Sequence, residues 1–481
     1  MTKTILNIFL FFTIMNTTFS QLDRTIVPTP KKISPETLLK LPNVEEIKLE
    51  NGLRILFVEN SKLPIVNSQL VIHTGSSIET QQNFGIANLT ASMLDEGTKT
   101  KSSLEIADEI DYLGANFSSS ASYDGIFISL QTLKENLDKA FEMYSEIIFS
   151  PSFPENDFER VKKEILTNLT QQKDRASTVA SLVFNKILYK THPYSSQVSG
   201  NENTVKSISI EDVKNFYKNY FAPNNATLIF VGDINKTEIE KLVNQFFLNW
   251  ERKSVESDCP LLKKEMASTS LYIVDKPNAP QSEIRIGHVS VSRMTEDYFK
   301  LMVLQQILGS SHGRLFLNLR EAKGYTYGAY ANFSYRKQEG PFVASAGVRT
   351  DVTDSSVVEF LYEINRIYTE LVSDEEFEMY KTSVLQRLPR QFETNGQIAD
   401  YLSSIAVYDL PLNYFSSYIK NIESVTKKDI LETAKKNLHP DNLSIVIVGD
   451  KSKILDGLKK LNLGNIRICD TDANILEDIT K

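Results

Sequence analysis

Residues 207–233 read SISIEDVKNFYKNYFAPNNATLIFVGD, and residues 424–450 read SVTKKDILETAKKNLHPDNLSIVIVGD. The two stretches align without a gap, because Asp212 and Asp429 lie 217 residues apart, as do Asp233 and Asp450. Each stretch predicts an amphipathic helix, a turn that contains proline, and an apolar β-branched strand that ends in Val-Gly-Asp. The chain therefore contains one structural unit twice.

The length of this repeat indicates two homologous domains and not a solenoid. Within the first domain, alternating strands flank Asn51-Gly52, the strongest short hairpin signal. Strands and helices then follow in runs, which predicts an α+β fold: two homologous domains, each a mainly antiparallel sheet with helices on one face. The predicted segments are a signal peptide at 1–20, an N-terminal arm at 21–43, a first domain at 44–250, a linker at 251–267, a second domain at 268–465 and a C-terminal tail at 466–481.

The composition is that of an acidic globular protein. The chain has 481 residues, with 61 Asp and Glu against 53 Lys and Arg, and a net charge of −8. Because the chain has no basic block to neutralise phosphates, we expect no nucleic-acid partner. Two cysteines, Cys259 and Cys469, do not make a disulfide framework. The sequence leaves open whether they pair.

The first twenty residues are typical of a secretory signal peptide. Lys3 precedes an apolar stretch at 5–15 that is too short to span a bilayer. Thr18 and Ser20 are small residues at the −3 and −1 places of a cleavage site before Gln21. A buried or membrane-anchoring helix is the alternative interpretation. No other run approaches transmembrane length, so we expect an exported protein, periplasmic or secreted, without a membrane span.

Two motifs bear on function. Residues 85–94 read GIANLTASML, and residues 312–327 read HGRLFLNLREAKGYTY. A zinc site needs three or four His, Cys, Asp or Glu side chains that converge on the ion. No two of the five histidines lie near each other in the sequence, so each is interpreted as a surface or capping residue: His73, His192, His288, His312 and His439.

These motifs resemble the insulinase, pitrilysin and mitochondrial-processing-peptidase family of inverted-motif zinc peptidases over about residues 44–461. The family signature reads Gly-x-Ala-His-Phe-Leu-Glu-His-Met, followed by Gly-Thr. The chain keeps five of these residues, namely Gly85, Ala87, Met93, Gly97 and Thr98. The resemblance implies that Asn88 and Ser92 replace the two ligand histidines and that Ala91 replaces the general-base glutamate. The two domains would then form one half of a metalloprotease clamshell.

The third zinc ligand of the family is a glutamate about seventy-five residues further along. The matching position here is Asn168, and Glu164 is one helical turn away. The resemblance therefore implies the loss of the whole metal site. We expect this chain to bind no zinc and to be inactive alone.

The stretch at 312–327 resembles the family's second signature, Arg-Leu-Phe-x-x-Leu-Arg-Glu-x-Lys-Gly-x-x-Tyr. In the family, its later arginine and the tyrosine reach across the clamshell to the zinc site of the opposing half. Arg320 and Tyr327 occupy those places. A guanidinium and a phenol can donate hydrogen bonds to a peptide carbonyl and to its tetrahedral oxyanion.

The resemblance also points to a substrate-binding strand around Ala115, Asn116, Phe117 and Ser118. In the family this edge strand pairs with an extended peptide. Here it would bind peptide without cutting it, or it would be an ordinary paired strand, and the residues leave both open.

Three functional hypotheses follow. The first is a non-catalytic subunit of a heterodimeric metalloendopeptidase, in which Arg320 and Tyr327 act in the active site of a homologous, zinc-bearing partner. The second is a peptide-binding scaffold or chaperone-like pseudopeptidase, with unfolded polypeptide as its partner and no catalytic subunit. The third is a self-sufficient zinc endopeptidase, which the missing ligands do not favour.

Overall fold

The computed structural model describes residues 43–256, 259–262 and 268–479. The predicted signal peptide, all of the predicted arm but its last residue and seven residues of the predicted linker lie outside the described residues. Two open, mostly antiparallel sheets with helices make up the described part, and this confirms the predicted α+β class.

The first sheet has the strand order β1-β2-β6-β3-β5-β4. Its strands are β1 Glu45–Lys48, β2 Arg54–Glu59, β3 Ile65–Ile72, β4 Asn116–Ala121, β5 Ile126–Leu133 and β6 Ala226–Gly232. All neighbours are antiparallel except β2 and β6. Strand β4 is thus an edge strand that pairs with β5 alone among the described strands.

The second sheet has the order β13-β12-β7-β11-β8-β10-β9. Its strands are β7 Ser270–Asp275, β8 Gln281–Val289, β9 Thr326–Phe333, β10 Pro341–Arg349, β11 Ser444–Gly449, β12 Asn465–Cys469 and β13 Ile475–Ile479. Strand β9 is at one edge, in the place that β4 has in the first sheet.

The helices follow the same order in both halves of the chain. The first half has α1 Ile86–Ser92, α2 Ser103–Tyr112, α3 Leu137–Phe149, α4 Glu155–Gln172, α5 Ala176–Tyr189, α6 Glu202–Ser207, α7 Ile210–Tyr220 and α8 Lys236–Phe246. The second half has α9 Tyr298–Gly309, α10 Arg314–Phe316, α11 Thr353–Thr369, α12 Asp374–Arg387, α13 Asn395–Tyr408, α14 Tyr414–Ser424, α15 Lys427–Asn437 and α16 Lys451–Lys460. A π-helix, Leu317–Ala322, continues α10.

The repeated sequence units form matching elements. The first gives α7 and β6, and the second gives α15 and β11. Both helices begin with a capping box, in which Ser209 and Thr426 accept hydrogen bonds from the backbone N–H groups of Asp212 and Asp429. The sequence repeat is therefore a structural repeat.

Each sheet is also covered by a helix from the other half of the chain. Leu402 and Ile405 of α13 lie in one apolar cluster with Leu56 of β2 and Ile229 of β6. The sequence pattern predicted helices on one face of each sheet. Both faces of β6 are covered instead, and every residue of that strand is buried. A continuous apolar run is typical of such a strand.

In the same way, a helix of the first half covers the second sheet. Val183 and Phe184 of α5 lie in one cluster with Val274 of β7 and Val446 of β11. The two sheets therefore share their apolar cores across the boundary that the repeat suggests.

The C-terminal residues differ from the prediction of a tail. Strands β12 and β13 form an antiparallel pair, and β12 extends the second sheet by pairing in parallel with β7. Ile466 and Ile468 of β12 are buried, which explains why this stretch joins the sheet.

Cys259 and Cys469 are both free thiols. Within the described ranges, no helix has the length and apolar character needed to cross a membrane.

Candidate functional site

Helices α1 and α4 line a cavity of about 360 Å³ in the first half of the chain. Asn88 and Ser92 line it from α1, and Asn168 lines it from α4. The spacing of four residues places Asn88 and Ser92 one turn apart on the same face of α1. The structure thus brings three of the four degenerate metal-site positions together. The fourth, Ala91, is buried in the apolar core of the first half.

Two carboxylates also line this cavity, and both pair with the same arginine. Arg160 Nη1 lies 3.1 Å from Glu164 Oε1, and Arg160 Nη2 donates a hydrogen bond to Glu96. The hydrogen bond with Glu96 is the main cause that raises the pKa of Arg160 above its usual value. Arg160 therefore offsets part of the negative charge of the cavity wall.

This set of residues does not fit a zinc ion. Zinc in proteins is bound by thiolate, imidazole or carboxylate groups. The cavity offers three neutral amides, two hydroxyls and two carboxylates that pair with Arg160. In the part of the chain that the structure describes, no group of three or more His, Cys, Asp or Glu residues could hold a metal ion.

Glu79 holds the start of α1, a role that the sequence analysis missed. Its Oε2 atom accepts a hydrogen bond of 2.8 Å from the N–H of Gly85, and its Oε1 atom accepts one of 2.9 Å from the N–H of Ala87. Burial raises the pKa of Glu79 from 4.5 to about 8. A glutamate shortly before a helix start was the available signal, because its side-chain oxygens can accept hydrogen bonds from the unpaired N–H groups of a helix N-terminus.

Arg320 and Tyr327 lie at the surface of the second half. Arg320 is on the π-helix, with its guanidinium 4.9 Å from the ring centre of Phe316 and its side chain 45% exposed. Tyr327 is the second residue of the edge strand β9 and is 87% exposed. Both side chains are thus available to a molecule outside this chain. The sequence predicted the residues but not the π-helix, a form that is often found at functional sites.

Buried polar contacts fix this helix on the second half. Arg314 donates two hydrogen bonds to Glu376 of α12, at 2.7 and 2.8 Å. The Asn318 amide donates to Glu359 at 3.0 Å and to Glu363 at 2.9 Å, both on α11. Arg314 and Asn318 both lie within six residues before Arg320, so these contacts hold the helical segment that carries it.

The predicted substrate strand is the edge strand β4. Asn116 and Ser118 are exposed, whereas Ala115 is buried just before the strand. Phe117 points into the core, with its ring centre 6.3 Å from that of Tyr144. The four predicted residues therefore do not share one face. The unpaired edge of β4 consists of backbone groups, which can bind another extended chain.

Two family models match the chain. The model described as Insulinase (Peptidase family M16) matches residues 54–202, and the model described as Peptidase M16 inactive domain matches residues 207–384. The boundary between them lies just before α7, close to the start of the first sequence repeat.

Similar proteins include two from Helicobacter pylori and one solved structure. The non-peptidase homolog YmxG is 24% identical over 405 residues, which are 83% of this chain and 92% of that protein. The zinc protease PqqE is 23% identical over 375 residues, or 75% of this chain and 84% of that protein. The crystal structure of a peptidase M16 inactive domain from Pseudomonas fluorescens has a TM-score of 0.80 and 26% identity, and the match covers 85% of this chain and 98% of that one. With its two matched domains and this shared fold, the chain belongs to the insulinase, or M16, peptidase family.

Proposed function

We propose that this chain is the non-catalytic subunit of a heterodimeric zinc metalloendopeptidase. It closes the chamber over a homologous partner that carries the zinc and the general base. Arg320 and Tyr327 donate hydrogen bonds to the carbonyl of the scissile peptide bond in the partner's active site. The complex works outside the cytoplasm, in the periplasm or as a secreted enzyme, on peptides or unfolded polypeptides.

One contrast carries this proposal. The first half has the helices of a metal site without ligands for zinc. The second half presents Arg320 on a π-helix that contacts of Arg314 and Asn318 hold in place, and Tyr327 on the edge strand β9. A chain with no remaining role near a metal would gain nothing from an exposed arginine and tyrosine held in this way. The similarity to both a non-peptidase homolog and a zinc protease of one organism also supports two chains with divided roles.

The test is reconstitution with a zinc-bearing relative from the same source. We expect peptidase activity only in the mixture, and we expect Arg320→Ala to lower kcat by about 100-fold, which is the usual cost of removing one oxyanion donor. The matched control is Arg252→Ala, since Arg252 is also exposed but lies outside the π-helix. Unchanged activity of the Arg320→Ala pair would refute the proposed role.

A peptide-binding scaffold without a catalytic partner is the second candidate. The unpaired edge of β4 favours it, because such an edge binds extended polypeptide without chemistry. Purification from the native source distinguishes the two. A zinc-bearing relative that copurifies at near-equal amount supports the subunit, and its absence supports the scaffold. Zinc bound to the isolated chain would contradict both and would favour a self-sufficient peptidase.

A further inference from the structure

Arg293, between β8 and α9, is a buried arginine without a carboxylate partner. It is 7% exposed, and Arg314 is similarly buried at 5%. Arg314 pairs with Glu376 at 2.7 Å, whereas no carboxylate in the described ranges lies within 4 Å of the Arg293 guanidinium. Arginine stays protonated in proteins, and buried charges are normally paired. The charge of Arg293 therefore calls for a partner that the described residues do not supply.

Tyrosine rings stabilise this guanidinium without neutralising it. Its central carbon lies 3.6 Å from the ring centre of Tyr298 and 5.1 Å from that of Tyr414. Its Nη2 atom donates a hydrogen bond of 2.8 Å to the Tyr414 hydroxyl, and no other described residue accepts from the side chain. Its Nε and Nη1 atoms, unlike the Nη1 atoms of Arg314 and Arg336, are not enclosed without a partner. A ligand can therefore reach them.

Arg293 lines a cavity of about 110 Å³ between α9, α13 and α14. It is the one charged side chain among the described residues of the wall, whose other polar groups are tyrosine hydroxyls, Gln391 and Ser404. Burial raises the pKa of Tyr401 and Tyr418, so their phenols stay neutral. The wall thus carries one positive charge, which favours a monoanion over a neutral molecule and disfavours a cation.

Size and geometry favour a carboxylate among the monoanions. Because a water molecule takes about 30 Å³ of the liquid, the cavity has room for about three or four non-hydrogen atoms. Tyr298 covers one face of the guanidinium, so a ligand approaches in its plane. There Nη2 keeps a second N–H beside those of Nη1, and such a pair matches the two oxygens of a carboxylate.

An open groove of about 530 Å³ adjoins the cavity. The two share four lining residues, namely Arg293, Tyr298, Leu410 and Tyr414. The other charged residues of the groove are Lys300, Glu296 and Asp429. With Arg293 these charges balance, so the groove does not repel an anion on its way to the cavity.

We propose that this cavity binds a carboxylate group, either of a small free anion or of a polypeptide C-terminus that enters through the groove. Arg293 donates two hydrogen bonds to the carboxylate oxygens, and a hydroxyl of the wall donates a further one. The site goes beyond the proposed function and does not depend on Arg320, Tyr327 or a zinc-bearing partner.

Isothermal titration calorimetry of the full chain at constant ionic strength tests the site. We expect sodium acetate to bind about tenfold more tightly than acetamide, its neutral counterpart, because hydrogen bonds to a charged group contribute at least this much. A hexapeptide with a free C-terminal carboxylate, compared with its amidated form, separates the two sources. Tighter binding of the free acid than of acetate assigns the site to a chain end, and weaker binding assigns it to a small anion. No acetate binding, equal binding of acetamide, or equal binding of chloride would overturn the proposal.

Two variants test whether binding occurs at this cavity. Arg293→Lys keeps the charge but loses the planar pair of donors, so it should weaken acetate binding about tenfold. Arg336→Lys, at an arginine that is 8% exposed and does not line the cavity, is the matched control and should keep the affinity.

Gln391→Glu places a like charge on the wall at an exposed position, so it should weaken acetate binding without affecting folding. Gln386→Glu, exposed on α12, is its control. Unchanged acetate binding in Arg293→Lys and Gln391→Glu would also overturn the proposal. An inactive heterodimer would leave all of these results unchanged, so the two proposals fail separately.

Discussion

Three side chains, Asn88, Ser92 and Asn168, decide that the cavity between α1 and α4 does not fit zinc. Since they line one cavity, Asn88→His/Ser92→His/Asn168→Glu should supply the two imidazoles and one carboxylate of a zinc site. We expect about one zinc per chain in this variant by elemental analysis after dialysis. Asn168→Glu alone, with a single added ligand, is the control and should hold none. A triple variant without zinc would show that the backbone of α1 and α4 is not placed for a metal.

The protonation of Glu79, which binds the start of α1, makes the stability of the protein depend on pH. Burial raises its folded pKa from 4.5 to about 8, so its contribution to stability is fully present below pH 4.5 and is lost as the pH rises to about 8. The total loss is on the order of 5 kcal/mol, from about 1.4 kcal/mol per pH unit. Urea unfolding at pH 4.5 and pH 8.5 measures it. Glu79→Gln cannot ionise, and its free energy of unfolding should fall much less between these two pH values. Equal losses in the two proteins would assign the pH effect to other groups.

At the scale of single elements, the π-helix shows how a surface residue can depend on buried contacts. Arg314 is 5% exposed and Glu376 20% exposed at the side chain. Removing one partner of such a pair leaves the other charge buried, at a cost on the order of 3 kcal/mol. Glu376→Ala should therefore lower stability by about this amount and increase hydrogen exchange at residues 314–323. Glu378→Ala, on the same helix but exposed, is the control. Unchanged exchange in Glu376→Ala would mean that other contacts hold the π-helix.

Sequence periodicity predicted most elements, but not every backbone form. The hairpin around Asn51-Gly52 formed β1 and β2 as expected, and both repeated units formed a helix and a strand. The π-helix was not predictable, because Leu317–Ala322 has the spacing of an ordinary helix, and the contact of its Asn318 with Glu363 of α11 joins residues 45 positions apart. The motif likewise identified the positions of the degenerate metal site. It did not reveal that Ala91 points into the core, because that orientation also depends on packing partners far away in the sequence.

At the scale of the whole molecule, the main feature that the sequence did not reveal is that α5 and α13 each pack on the sheet of the other half. An apolar face shows that a helix packs against something, but not against which sheet. The sequence also does not show which residues that are far apart along the chain contact each other. His288 and His439, 151 residues apart, have ring centres 4.8 Å from each other, although the sequence spacing predicted a surface or capping position for each.

Because α5 and α13 each pack on the sheet of the other half, we predict that both halves unfold together. Leu402 of α13 packs in the cluster on the first sheet, so Leu402→Ala should cost roughly 2–5 kcal/mol. The single tryptophan, Trp250, reports on the first half, because its ring packs against Phe149 and Phe247. Urea unfolding followed by tryptophan fluorescence and by far-UV circular dichroism should show one coincident transition, shifted equally in both signals by Leu402→Ala. Leu371→Ala, at a 54% exposed position of the second half, is the control and should shift neither. A fluorescence transition that Leu402→Ala leaves in place would show that the first half is stable without α13.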